Sequence, residues 1–139
     1  MRDQTTITTL KSTVSLAAAG LAALFGGWDI LLTVLVIMVI ADYLSGLTAS
    51  GICGTLDSRT GWKGILKKLL IFVTVAVAAA MDTATGLTGH PLRAMACLFY
   101  IGNEGISIVE NLGRAGVPIP HGLAALFQRL KEDNNQTKS

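Results

Sequence analysis

Three carboxylic acids interrupt stretches of sequence otherwise suited to hydrocarbon. Asp42 follows LLTVLVIMVIA, Asp82 follows LLIFVTVAVAAAM, and Glu104 follows LFYIGN. A carboxylate near the middle of a bilayer costs about 2.5–3.5 kcal/mol to insert, against a gain of about 0.3–0.6 kcal/mol per Leu or Ile. An acid kept at that cost faces a bundle interior or water, and its neighbours at helical spacing help to say which. Ser45, Gly46 and Ala49 share a face with Asp42; Thr74, Ala78, Thr85 and Gly86 share one with Asp82. Small and hydroxyl-bearing stripes let helix backbones approach and supply hydrogen-bond partners. Asp42 and Asp82 are therefore expected on helix–helix contact faces.

Around Glu104 the pattern is more polar. Arg93, Cys97, Tyr100, Asn103, Glu104, Ser107, Glu110, Asn111 and Arg114 recur every three or four residues, with Leu98, Ile106, Val109 and Leu112 mainly off that line. A helix with a continuous polar stripe suits a water-lined opening or a tight polar seam between subunits. The plainer alternative is that these groups only hydrogen-bond helices to one another. The pore-lining or helix-contact candidates are thus Asp42, Ser45, Gly46, Asp82, Arg93, Tyr100, Asn103, Glu104, Ser107, Glu110, Asn111 and Arg114.

Other chemistries find no support. There is no phosphate-binding glycine loop, no paired set of metal ligands and no nucleophile beside a base. His90 and His121 lie in Pro-flanked loops and read as solvated side chains, while Cys53 and Cys97 read as small apolar residues. An enzyme, a metal or a cofactor is not called for.

The elements that must carry the acids follow from composition. The chain of 139 residues is 51% hydrophobic and 14% charged, with a mean hydropathy of +0.57, whereas a soluble domain is about 25% charged. A formal charge of +2 without a dense basic run argues against nucleic acid. The N-terminal segment, signal-like in having Arg2 and Lys11 ahead of an apolar stretch, is read as retained.

The spacing of charges predicts an all-α integral membrane protein with four transmembrane helices, over 10–28, 29–50, 65–87 and 92–113. The first is the weakest, Ala-rich and ended by Gly26-Gly27, and a helix lying on the membrane surface is its alternative. Four spans place ten of the eleven Lys and Arg residues on the cytoplasmic side, leaving only Arg93 outside; three spans would give eight against three. The positive-inside rule thus favours four spans with both termini inside. Trp28 and Trp62 fall at span ends, where indole rings prefer the interface. Residues 1–113 then form the transmembrane domain. Residues 114–139 form a cytoplasmic segment in which Pro118 and Pro120 stop the fourth helix. A short amphipathic helix carrying Leu123, Leu126, Phe127 and Leu130 follows, with Gln128, Arg129 and Lys131 off its apolar face, and then a disordered polar tail.

The end of the fourth block, NEGISIVENLGRAGVPIP, resembles the toxin-secretion/phage-lysis holin family. The matching residues are Glu104, Ser107, Ile108, Asn111, Gly116, Pro118 and Pro120. ADYLSG resembles that family's first acidic transmembrane motif, SRTGWKGILKK its Gly- and Lys-rich loop, and AAAMD its third-block acid, so the likeness runs in order over about residues 30–130. The resemblance implies a multi-pass protein of the host bacterial cytoplasmic membrane that self-associates into homo-oligomers in the lipid bilayer. It implies lesions through which an endolysin or a toxin crosses, ending in host cell lysis. An endolysin is then a functional partner for which direct contact is not required, and an antiholin is a further candidate partner. A small ion-conducting channel or transporter-like subunit is the alternative that intramembrane acids support equally well.

Overall fold

A computed structural model of the chain describes residues 2–123, 125, 126 and 129, leaving aside the side chains of Arg2 and Thr60. Among the described residues the chain forms four long α-helices: α1 (Arg2–Leu24), α2 (Ile30–Ile52), α3 (Ser58–Thr85) and α4 (Pro91–Arg114). Each contains a stretch long and apolar enough to cross a membrane. At 1.5 Å per residue, α2 and α4 are about 35 Å long and α3 about 42 Å, enough to cross a hydrocarbon layer of about 30 Å.

Each boundary has a local cause. Asp29 caps α2, its carboxylate accepting from the Leu32 amide at 2.9 Å, and Asp57 caps α3 by accepting from the Arg59 amide at 3.1 Å. Gly86, with φ +68°, closes α3 in the left-handed conformation that glycine adopts without strain. Pro91 opens α4. Its preceding residue, His90, has φ 50° and supplies no side-chain cap. Asp82 in α3 does so instead, its two oxygens accepting from the amides of Leu92 at 3.0 Å and Arg93 at 2.9 Å. An acid on one span therefore satisfies the exposed end of the next, across the tight α3–α4 turn.

The bundle proper is α2, α3 and α4. The α2–α4 interface is the most extensive, α3 packs chiefly on α4, and α2 and α3 touch little. The apolar core is drawn from helical spacings: Leu32, Leu35 and Val39 on α2, Ile71 and Val75 on α3, and Cys97 on α4. In lipid such contacts are held by close packing rather than by exclusion of water. Phe25 joins this core from the end of α1, its ring edge-on to Phe72 with centroids 6.1 Å apart.

The first helix behaves differently. From Asp3 to Leu21 every residue is exposed, and α1 meets the rest of the chain only through a small contact with α3. Its Thr8, Thr9, Ser12 and Thr13 hydroxyls donate to carbonyls four residues back. These four hydroxyls are thereby satisfied within the helix itself, as a helix facing lipid requires.

Beyond α4, residues 121–123, 125, 126 and 129 are helical, and Leu123 and Leu126 are exposed. Phe127, Gln128, Leu130 and Lys131, expected on the same amphipathic helix, lie outside the described residues, as does the polar tail.

If Asp82 acts as the cap of α4, Asp82→Leu leaves two buried amides without an acceptor and lowers stability by about 2–4 kcal/mol. Unfolding in sodium dodecyl sulfate, followed by helical circular dichroism, measures this. Asp82→Asn, which keeps one acceptor oxygen, should lose less; equal losses would speak against capping.

Candidate functional site

Asp42 lies past the midpoint of α2 because the core face of that helix, Leu32, Leu35 and Val39, reaches it after one further step of three. It is buried, at 9% exposure. Glu104 occupies the corresponding level of α4 and is 6% exposed. Between them reaches Lys68 from α3. Its ammonium donates to Asp42 Oδ2 at 2.6 Å and to Glu104 Oε2 in a second, very short contact. One cation thus bridges carboxylates from two other helices. Fully ionised, the three side chains carry a formal charge of −1.

Asn111 closes the arrangement from α4. Its amide donates to Asp42 Oδ1 at 3.0 Å and to Ser45 Oγ at 3.1 Å, and Ser45 in turn donates to the Asp42 carbonyl at 3.0 Å. Gly46 makes this approach possible: a Cβ there would stand 3.3 Å from the Asn111 amide nitrogen. Small residues beside the acid of α2 therefore have a specific use, which is room for the amide of α4.

A second polar cluster sits at the opposite end of the bundle. Arg93, 3% exposed, turns a bidentate fork on Asp29, at 2.6 Å and 3.0 Å. It also donates to the Gly27 carbonyl at 3.0 Å and to the Phe25 carbonyl. The chain between α1 and α2 is thus tied to the start of α4. Gly26 allows the close approach: its φ is +71°, and a Cβ would meet Arg93 Cδ at 3.4 Å and His90 Nδ1 at 3.5 Å. His90 is half-buried rather than the solvated loop side chain its sequence context suggests. The Arg93 guanidinium, by hydrogen bonding, holds the Asp29 carboxyl down from its ordinary 3.8 to about 2.

The polar residues of α4 divide by face. Arg93, Cys97, Glu104 and Asn111 are buried, and Tyr100 and Ser107 are half-buried on the same seam. These positions alternate steps of four and three, the period of packed helices. Tyr100 donates its hydroxyl to Thr74 of α3 at 3.3 Å. Asn103 and Glu110 each fall one position to the side and are exposed, as is Arg114 at the helix end, where its carbonyl accepts from the Cys53 thiol. Asp42, Ser45, Gly46, Glu104 and Asn111 thus come together, whereas Asp82 and Arg93 belong to the other end.

Two charged residues with central places were not singled out from sequence. Lys68 reads as the last cation of a loop, yet it is one step of three before Ile71, which leads on to Val75, Ala79 and Asp82 along the buried face of α3. Its alignment with that face was the available signal. Asp29 stands at the start of the second apolar block, and nothing local discloses its partner 64 positions away.

Two outcomes test these clusters. Lys68→Met leaves two buried acids without their cation and should cost about 3–5 kcal/mol, measured by unfolding in sodium dodecyl sulfate. Removing all three charges together (Lys68→Met, Asp42→Asn, Glu104→Gln) should recover most of that loss; a wild-type stability for Lys68→Met would exclude the bridge. At the other end, the depressed acidity of Asp29 implies stability that is fully present above pH 3.8 and lost as pH falls through about 2. In Asp29→Asn that portion of the acid unfolding curve should disappear.

Comparison with known proteins places this architecture. Relatives include an uncharacterized protein of Halalkalibacterium halodurans, 42% identical over 131 residues that cover 91% of this chain and 97% of the relative. An uncharacterized protein of Listeria monocytogenes is 47% identical over 104 residues, covering 75% of this chain and 74% of its own length. A probable holin of Bacillus phage phi105 is 40% identical over 115 residues, 83% of this chain and 84% of that protein. No solved structure matches. The model of the bacteriophage holin family matches residues 19–132, which takes in the end of α1, all of α2, α3 and α4, and both polar clusters; the chain belongs to the bacteriophage holin family.

Proposed function

We propose that this multi-pass inner-membrane protein accumulates in the host membrane, self-associates, and opens lesions through which an endolysin or a toxin leaves the cytoplasm. Family membership supports the reading in its coarse form. The observation that carries it further is the polar seam between α2 and α4. Asp42, Lys68, Glu104 and Asn111 satisfy one another inside a single bundle. The same groups, turned toward water, would supply the wall of an aqueous opening. In this reading Glu104, with Tyr100, Ser107 and Asn111 beside it, lines the opening. Asp42 and Asp82 set the register of the helices, and Asn103, Glu110 and Arg114 lie along its margin.

Both termini are proposed to face the cytoplasm, because the N-terminal half of α1, the start of α3, the end of α4 and the segment after it hold ten of the eleven Lys and Arg residues. An endolysin needs no direct contact with the protein under this mechanism, and an antiholin would act on assembly. No catalytic step is part of it.

The test is escape of a large cytoplasmic reporter enzyme from induced bacterial cells, recorded together with membrane potential. Abrupt escape coinciding with depolarisation is the expected result, and Glu104→Leu should delay or abolish it while still inserting in the membrane. Normal timing in that variant would remove Glu104 from the opening. Depolarisation without escape would favour the ion-conducting alternative.

A further inference from the structure

At the end of the bundle formed by the α2–α3 turn, helices α2, α3 and α4 diverge around an open cleft of about 540 Å³. Lys67, Lys68 and Arg114 line it, as do the acids Asp42 and Asp57. The acids are already engaged: Asp42 accepts from Lys68 and Asn111, and Asp57 caps α3. Lys68 is committed to its two carboxylates. Lys67 and Arg114, from α3 and the end of α4, line the same cleft. The lining of the cleft thus carries three cations, Lys67, Lys68 and Arg114, against two acids, Asp42 and Asp57.

Its walls leave room for a ligand. Gly61 and Gly64 stand one above the other on the lining of α3. A Cβ on Gly64 would meet nothing within 4 Å, and one on Gly61 would only reach the Tyr43 hydroxyl at 3.9 Å. Ser50, Thr55 and Ser107 add hydroxyls. The volume falls in the range of small-ligand sites, about 300–1,000 Å³.

Depth names the ligand class. The long apolar run of α3 begins at Leu69, directly after Lys67 and Lys68, and from Leu69 to Gly86 it rises about 26 Å, close to the hydrocarbon thickness. Exposed Trp62 lies on the outer side of that boundary, where indole rings collect. The cleft therefore opens at the level of the lipid headgroups, not in bulk water. We infer that it seats the phosphodiester headgroup of an anionic membrane lipid, its phosphate held between Lys67 and Arg114 over Gly64 and its polar alcohol against the hydroxyl side. Basic hollows between spans on the cytoplasmic side bind such headgroups in general. A lipid here would also bridge α3 to the end of α4, beside the Lys68 cluster.

The experiment uses the full chain in nanodiscs holding equal amounts of phosphatidylglycerol and phosphatidylcholine. After mild detergent extraction, the lipids retained are counted by native mass spectrometry. Phosphatidylglycerol should be kept over phosphatidylcholine by at least about tenfold, and Lys67→Gln with Arg114→Gln should weaken its retention about twentyfold, near fivefold for each cation. Gly64→Leu, which fills the cleft and leaves every charge in place, should abolish the preference independently. Arg59→Gln with Lys63→Gln removes the same charge from exposed positions outside the cleft and should keep the preference. Equal loss in that control, or full retention in Gly64→Leu, would overturn the site in favour of general surface attraction. Competition by millimolar inorganic phosphate as effective as dihexanoyl phosphatidylglycerol would overturn the lipid assignment in favour of a free anion. Circular dichroism checks each variant's fold. Because the charge and steric variants act independently, either alone decides the question if the other does not fold.

Discussion

The Lys68 ammonium holds together three helices that otherwise have unequal claims on one another. The interface of α2 with α4 is broad and that of α3 with α4 moderate, but α2 and α3 barely touch. Lys68 is what joins them, by donating one hydrogen bond to a carboxylate on α2 and another to a carboxylate on α4. In water such a bridge would contribute little, since exposed ion pairs gain little over hydrated ions. Within a span the comparison changes, because each of the three groups taken singly would have to be hydrated or neutralised in a place with few waters. The cluster is therefore better seen as a mutual condition than as a sum of bonds: removing any member leaves the others exposed to the full cost of burial.

The two polar clusters solve the same problem differently. Near the α3–α4 turn, Asp82 and Arg93 meet backbone groups: amides at the start of α4, and carbonyls after α1. These are helix-end groups that any chain must satisfy, so their charges serve to seal the turns. The Asp42–Lys68–Glu104–Asn111 cluster meets almost no helix ends. It joins side chains to side chains along the middle and lower part of the bundle, with an apolar layer of Leu32, Leu35, Val75 and Cys97 separating it from the other end. Glu104 follows Arg93 by eleven positions along α4, about 17 Å of helix. A rearrangement of the lower cluster could thus leave the upper turn closed.

Much of this was legible in the sequence because the bilayer makes misplacement so costly. The spans follow from charge-free runs, the contact face of α2 from the small residues beside Asp42, and the seam of α4 from polar residues at steps of three and four. The small residues expected to share a contact face with Asp82 do not: Thr74, Thr85 and Gly86 are exposed, and Val75 and Ala79 are buried in their place. What escaped reading was pairing at a distance. Lys68 stands at the edge of an apolar run, where a cation usually marks the end of a span. Its long aliphatic stem lets the Cα stay near the interface while the ammonium reaches inward, and only its register with Ile71 and Val75 betrays the direction. Asp82 shows the converse. Its burial was evident, but a cap donated by one helix to the next depends on the geometry of a turn, and residues 86–90 encode that only through glycine and the unusual backbone of His90.

The first helix gives these clusters their context. A helix with its whole circumference exposed from Asp3 to Leu21 gains nothing from its own bundle except the Phe25 contact and the tether at Arg93. Its stability comes from backbone bonds and its surroundings, so it can exchange lipid for a neighbouring helix at little cost in packing. The three-helix bundle, by contrast, keeps Asp42 and Glu104 covered, because Lys68 and Asn111 have drawn them inward, while Asn103 and Glu110 stay exposed beside the seam. Under the lesion-forming reading, assembly then has separable parts: contacts through surfaces such as α1 can gather copies while each cluster stays closed. Water enters only when the α2–α4 seam parts. Since Asp42 is bonded to both Lys68 and Asn111, and Lys68 also to Glu104, parting that seam frees several polar groups together. Such coupling favours an abrupt change over a gradual leak, and it arises from one cation shared between two acids.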